Sequence, residues 1–153
     1  MNVFVFDVDD TIIIHTNAAN DYYGSNKNSV LKDLLSELKN SVFYFYTNGT
    51  FSHGKAVEYN LDLNIKRVFA RDVIPQMKPE RKSFRFVHNE IVKENEDIQK
   101  ILFFDDLEDN LFTAKTMGWT TVWINPTLEE KEDFVDYSFP NIYEAIHYFK
   151  RNL

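Results

Sequence analysis

The 153-residue sequence predicts an α/β protein with a mainly parallel sheet, and three observations lead there. Apolar runs of strand length alternate with segments of helical periodicity along the chain. The runs at 3–6 (VFVF), 41–46 (SVFYFY), 100–104 (KILFF) and 120–124 (TTVWI) each hold an unbroken apolar stretch, the pattern of strands buried on both faces. Three of them end abruptly in polar residues: Asp7 and Asp9, then Thr47, then Asp105 and Asp106. In a parallel sheet those residues share one edge, the carboxyl edge, beyond which such folds build their crevice.

Taken in order, the first strand stops at the acidic run that follows Phe6. Residues 12–28, rich in Asn and carrying Tyr22-Tyr23-Gly24, read as a loop or short hairpin. Val30, Leu31, Leu34, Leu35 and Leu38 form one stripe at helical spacing. The second strand is halted by Thr47-Asn48-Gly49, a turn signal. A helix over 52–61 and a short strand over 67–70 follow. Pro79 suits the first turn of a helix that runs to about Lys93. After the 100–104 strand, Leu111, Ala114 and Met117 mark a helix with Gly118 placed to cap its end. The last helix opens at Asn141 with Glu144 three residues on, a capping-box pattern, and buries Ile142, Ala145, Ile146 and Phe149.

Composition narrows the function. With 44% hydrophobic and 27% charged residues, the chain has a globular profile and enough length for one cored domain over 1–153. No stretch nears the ~18 consecutive apolar residues of a membrane span. The N-terminal MNVFVFDVDD lacks the basic region and cleavage site of a secretory signal, so a soluble cytoplasmic protein is expected. The absence of cysteine removes disulfides, thiolate metal sites and cysteine nucleophiles. A net charge of −7 argues against dedicated nucleic-acid binding but not against a small phosphate, because a bound divalent cation can dominate a local field.

Four short segments carry chemistry. In Asp7-Val8-Asp9-Asp10-Thr11 two carboxylates stand two residues apart, and an extended chain would face them the same way. Like charges so close call for a cation, and oxygen ligands suit Mg²⁺. A calcium loop would need glycine where Ile12 stands. Thr47, Asn48 and Gly49 offer a hydroxyl, an amide and backbone N–H groups suited to phosphate oxygens. Lys78 precedes Pro79 at a helix start, where the macrodipole disfavours a cation unless an anion sits there too. Asp105-Asp106, followed by Asp109 and Asn110, adds hard oxygen ligands. One of the pair should meet the metal, Asp106 by preference, and the other should hold a water or Lys78.

Read in order, VFVFDVDDT, YFYTNG, KPE and ILFFDDLEDN resemble the four motifs of the haloacid dehalogenase (HAD) superfamily, from Val3 to about Ile124. The resemblance implies a Rossmann-like core and an Mg²⁺-dependent phosphomonoesterase. Asp7 would be the nucleophile and Asp9 the general acid–base group, with Thr47 and Lys78 on the transferring phosphoryl group and Thr11 positioning the nucleophile loop. Asn48 and Gly49 would help to bind substrate, and Asp7, Asp9, Asp105 and Asp106 would form the metal set. Asp10 stands where many relatives carry glycine. Neither residues 12–46 nor 48–77 leave room for a cap domain, so the site is expected to be open, under at most a flap at about 12–26 or a second subunit.

The stretch from Thr47 through Trp123 is similar to the pyrimidine 5′-nucleotidase branch, and FFDD is shared with capless magnesium-dependent phosphatases. A small phosphorylated metabolite such as a nucleotide is the first expectation for substrate. A phosphatase for protein or nucleic-acid ends is the alternative, and an inactive binding protein of the same fold the third reading. Tyr22-Tyr23 could stack on a base, though packing of the flap is favoured. Lys78, Arg81, Lys82 and Arg85 read as one helix face, favoured as a solvated one. The histidines at 15, 53, 88 and 147 lack metal-ligand spacing, and His15 lies near enough to the first motif to touch substrate.

Overall fold

The computed structural model describes residues 1–15 and 29–153. Tyr22-Tyr23 and the flap from residue 16 onward lie outside the described residues. One six-stranded parallel sheet organises the chain, in the order β3-β2-β1-β4-β5-β6. Its strands are β1 (Asn2–Phe6), β2 (Ser41–Thr47), β3 (Arg67–Ala70), β4 (Lys100–Asp105), β5 (Thr120–Ile124) and β6 (Tyr137–Phe139). The helices are α1 (Val30–Ser36), α2 (Phe51–Asn60), α3 (Arg81–Glu94), α4 (Glu108–Thr116) and α5 (Ile142–Phe149).

The continuous apolar runs are explained by two cores, one on each face of the sheet. Phe4, Phe6, Phe45 and Phe104 point to the face covered by Leu31 and Leu35 of α1, Val57 of α2 and four residues of α5. Val3, Val5, Tyr44, Tyr46 and Phe103 point to the other, under Phe84, Val87 and Ile91 of α3 and Leu111 and Ala114 of α4. A strand with alternate residues in two cores has no solvent face, so it has no polar positions. The last helix forms as its sequence predicts: Asn141 accepts from the Glu144 N–H at 3.0 Å, and Ile142, Ala145, Ile146 and Phe149 are buried. Gly118, with φ of 81°, closes α4 in the left-handed conformation glycine adopts without penalty.

Three details depart from the sequence reading. α1 ends at Ser36, so Leu38 is buried from a turn beyond it, and Val30 at its start is exposed. α3 begins at Arg81, two residues past Pro79; Lys78 is thus off the helix and 3% exposed, while Arg81, Lys82 and Arg85 face solvent. β6 is an additional strand, only three half-buried residues long, recruited onto β5 as the Asn125 N–H donates to the Phe139 carbonyl at 2.8 Å. Residues 48–77 form α2 and β3, both packed into this core, so no cap is inserted between Thr47 and Lys78. No helix among the described residues is long and apolar enough to cross a membrane.

Candidate active site

The strand register builds the site. Phe6 of β1 is level with Phe45 of β2 and Phe104 of β4, so the residues that follow emerge side by side at the carboxyl edge. Asp7 extends β1 by one bond, its N–H donating to the Phe104 carbonyl at 2.9 Å. The chain then turns sharply, and the N–H groups of Thr11, Ile12 and Ile13 all point to the Val8 carbonyl. Val8 is fully buried, which anchors the turn in the core. Asp10 takes φ of 64°, a left-handed conformation that glycine adopts readily and aspartate tolerates better than most residues. Its carboxylate accepts from the His15 N–H at 3.1 Å, a local hydrogen bond that offsets part of that cost.

Three carboxylates gather at this edge. Oxygens of Asp7, Asp105 and Asp106 lie within 4.8 Å of one another. The buried ammonium of Lys78 bridges two of them, at 2.9 Å from Asp7 Oδ1 and 2.8 Å from Asp105 Oδ2, and also donates to the Tyr46 carbonyl at 2.8 Å. All three Lys78 hydrogens thereby have acceptors. Asn48 fixes the lysine's backbone from both sides, donating to its carbonyl at 2.9 Å and accepting from its N–H at 3.0 Å. Thr11 Oγ1 donates to Asp7 Oδ2 at 3.1 Å. Asp105 is held further by the Leu107 N–H and by Asn110, and the Asp106 carbonyl accepts from the Trp123 indole.

Burial and the neighbouring Asp105 push the Asp7 carboxyl well above its usual range, against the opposing pull of Lys78. Burial and Asp105 likewise raise Asp106, to about 6. Burial would lower the Lys78 ammonium, but Asp105 and Asp7 outweigh it and hold the lysine charged. One ammonium among three carboxylates leaves a formal negative excess in a site mostly removed from water. Hard oxygen donors in such excess fit Mg²⁺ or a similar cation.

Each residue of the sequence-derived set is at this edge, and the arrangement departs from the expected one at Asp9. Asp105 is the member of its pair that holds Lys78, and Asp106 is the more exposed one. The Asp9 carboxylate is not part of the three-carboxylate group, because the turn after Asp7 breaks the extended path that would have aligned the two. Asp9 Oδ1 instead meets His15 Nε2 at 2.9 Å and His53 Nε2 at 2.8 Å. His53 was not legible as a site residue; its only signal was a position four residues beyond Gly49, one helical turn into α2. The Thr47 hydroxyl accepts from the Gly49 N–H at 2.9 Å and is 1% exposed as a residue. Two clefts flank the carboxylates. One of about 430 Å³ is lined by Asn48, Lys78 and Glu108 to Asn110, and one of about 240 Å³ by Asp10, Asp106, Trp123 and Asn125. A larger cavity of about 620 Å³, around Lys32, Lys55 and Asp62, is lined by none of these groups.

The fold is that of HAD-like hydrolases. The chain aligns with the HAD-hydrolase YfnB from Bacillus subtilis, determined with magnesium bound, over 98% of each chain with a TM-score of 0.71 and 15% identity. A HAD phosphatase from Thermococcus onnurineus aligns over 97% of this chain and 98% of its own, with a TM-score of 0.62 and 16% identity. The L-2-haloacid dehalogenase from Xanthobacter autotrophicus, with chloropropionic acid covalently bound, aligns over 79% of this chain and 60% of its own, with a TM-score of 0.61 and 16% identity. No family profile matches the sequence, and no curated protein matches it. At these identities the likeness establishes architecture.

Proposed function

We propose that this protein is a phosphomonoesterase that works through an aspartyl phosphate on Asp7, acting on a small phosphorylated metabolite such as a nucleotide. The observation that carries the reading is the Asp7–Lys78–Asp105 bridge with Asp106 beside it: a nucleophile held in place within a carboxylate excess that favours a cation. Asp7 and Asp106, with Asp105 completing the group, would hold Mg²⁺. When bound, the ion would offset negative charge on the carboxylates and on the phosphoryl oxygens.

The chain's own groups supply the rest. The Asp7 carboxylate, oriented by Lys78 and Thr11, attacks phosphorus; its bond to phosphorus forms as the ester P–O bond breaks. Lys78 and the Gly49 N–H, each exchanging a present acceptor for substrate, would bind the transferring oxygens with the Thr47 hydroxyl and the backbone around Asn48. Asp9 gives a proton to the departing oxygen and then takes one from the water that hydrolyses the aspartyl phosphate, regenerating Asp7. A proton donor beside the nucleophile favours phosphoester over carbon–halogen substrates, because halide departs without protonation whereas an alkoxide does not.

A panel of nucleoside monophosphates, sugar phosphates, phosphopeptides, 5′- and 3′-phosphorylated oligonucleotides and 2-chloropropionate tests the reading. Release of phosphate from small monoesters with Mg²⁺, abolished by chelator, is expected. Selective turnover of the phosphopeptides or oligonucleotides would move the substrate to macromolecular ends. Chloride release with no phosphatase activity would overturn the proposal.

A further inference from the structure

We infer that His15 and His53 are positioning residues for Asp9, clamping one oxygen of its carboxylate so that the other is presented for proton transfer. The inference rests on the phosphatase reading above and concerns how its acid–base group is held in place. Both imidazoles reach the same atom, Oδ1, through Nε2, at 2.9 and 2.8 Å. With Asp9 ionised, each Nε2 carries its hydrogen and donates.

The two donors approach from separate parts of the chain. His15 follows the turn that carries Asp9, and His53 is the third residue of α2. The first turn of that helix is fixed by its cap, where Thr50 Oγ1 accepts from the His53 N–H at 3.2 Å. The other oxygen, Oδ2, faces Gly49: a Cβ built there would lie 3.6 Å from it, 3.2 Å from Thr47 Oγ1 and 3.1 Å from His53 Cδ2. Gly49 thus lets the imidazole, the hydroxyl and the carboxylate meet over bare backbone. Oδ2 and the Thr47 hydroxyl thus border the same space over Gly49, where the proposed function puts the phosphoryl group.

An aspartate side chain that is about a third exposed, as Asp9 is at 34%, would otherwise sample several rotamers. A general acid displaced by an ångström loses much of its effect, so fixing its rotamer has kinetic value. In the reaction the proton leaves Oδ2 for the ester oxygen as the P–O bond breaks, and is replaced from the attacking water. Neither histidine gains or loses one. His53, whose side chain is 11% exposed against 31% for His15, should contribute the larger share.

The leaving group supplies the test. p-Nitrophenolate departs without protonation, whereas the alkoxide of glycerol phosphate needs it. His53→Ala should lower kcat/KM for glycerol phosphate on the order of 10²-fold and that for p-nitrophenyl phosphate by less than about threefold, since general acid–base catalysis is of the former size. His53→Gln, which can return an N–H to Oδ1, should recover much of the loss; it also carries the test if the alanine variant fails to fold. His15→Ala should show the same selectivity with a smaller loss. Equal losses on both substrates, or no loss on the alkyl ester, would overturn the positioning role. Asp7→Asn is assayed in parallel. Its survival as an active enzyme would overturn the phosphatase mechanism itself, whereas a dead Asp7→Asn beside an unselective His53→Ala overturns only this inference.

Discussion

At Asp136 one lysine, one backbone N–H and one hydroxyl converge on a single carboxylate, whereas at Asp105 one lysine serves two carboxylates and a third stands alongside. Lys115 reaches Asp136 at 2.7 Å, and Thr121 donates to it through its N–H at 2.8 Å and its Oγ1 at 3.2 Å. That network joins α4 to the segment before β6, and its charges cancel. The Asp7–Asp105–Asp106 network is more deeply buried and does not cancel. A balanced, half-exposed pair joins parts of a fold. An unbalanced buried group repels itself and is tolerated where a ligand completes it.

Replacing each lysine by methionine puts the sharpest strain on that contrast. Lys78→Met leaves Asp7 and Asp105 buried without their shared cation, a change that costs about 3–5 kcal/mol when one partner of a buried pair is removed. Its melting temperature in chelator should fall by far more than that of Lys115→Met, and phosphatase activity should vanish. Lys115→Met breaks a half-exposed pair, and for pairs near the surface about 0–1 kcal/mol is usual. Equal losses in calorimetry would remove the distinction between the two networks.

A smaller effect separates them by pH. Burial pushes the Asp136 carboxyl up, but the hydrogen bond from Lys115 and those from Thr121 outweigh it and leave it below the usual range. A depressed folded-state value means the carboxylate stabilises the fold above its unfolded value, near 3.9, and that the contribution fades as pH falls through the folded one. Asp136→Asn should therefore be less stable than the parent at pH 7, and the two melting curves should converge below about pH 3. A gap that persists undiminished into strong acid would show that the contribution is steric.

The sequence displayed the fold wherever burial wrote itself into composition. Apolar runs without alternation appear because β1, β2, β4 and β5 lie between two cores, and the Asn141–Glu144 cap is a purely local device. β6 could not be read, since three half-buried residues carry no run; its place is set by a hydrogen bond from Asn125. At the site, Asp7, Thr47 and Asp105 could be read from their strand ends, and Lys78 from the Pro79 that follows it. The separation of Asp9 from the carboxylate group could not, because it depends on a turn that collapses onto the Val8 carbonyl. His53 joins Asp9 only through the packing of α2 beside that turn, a contact between residues 44 positions apart.

The central claim is that Asp7 bonds covalently to phosphorus. Acid quench of the Mg²⁺-loaded protein during turnover of a ³²P-labelled phosphomonoester, followed by borotritide reduction and peptide sequencing, tests it directly. The account predicts acid-stable, hydroxylamine-labile label on Asp7, absent from Asp7→Asn and persisting longer in Asp9→Asn. Turnover with no trapped label at any quench time, or label and activity retained in Asp7→Asn, would contradict it.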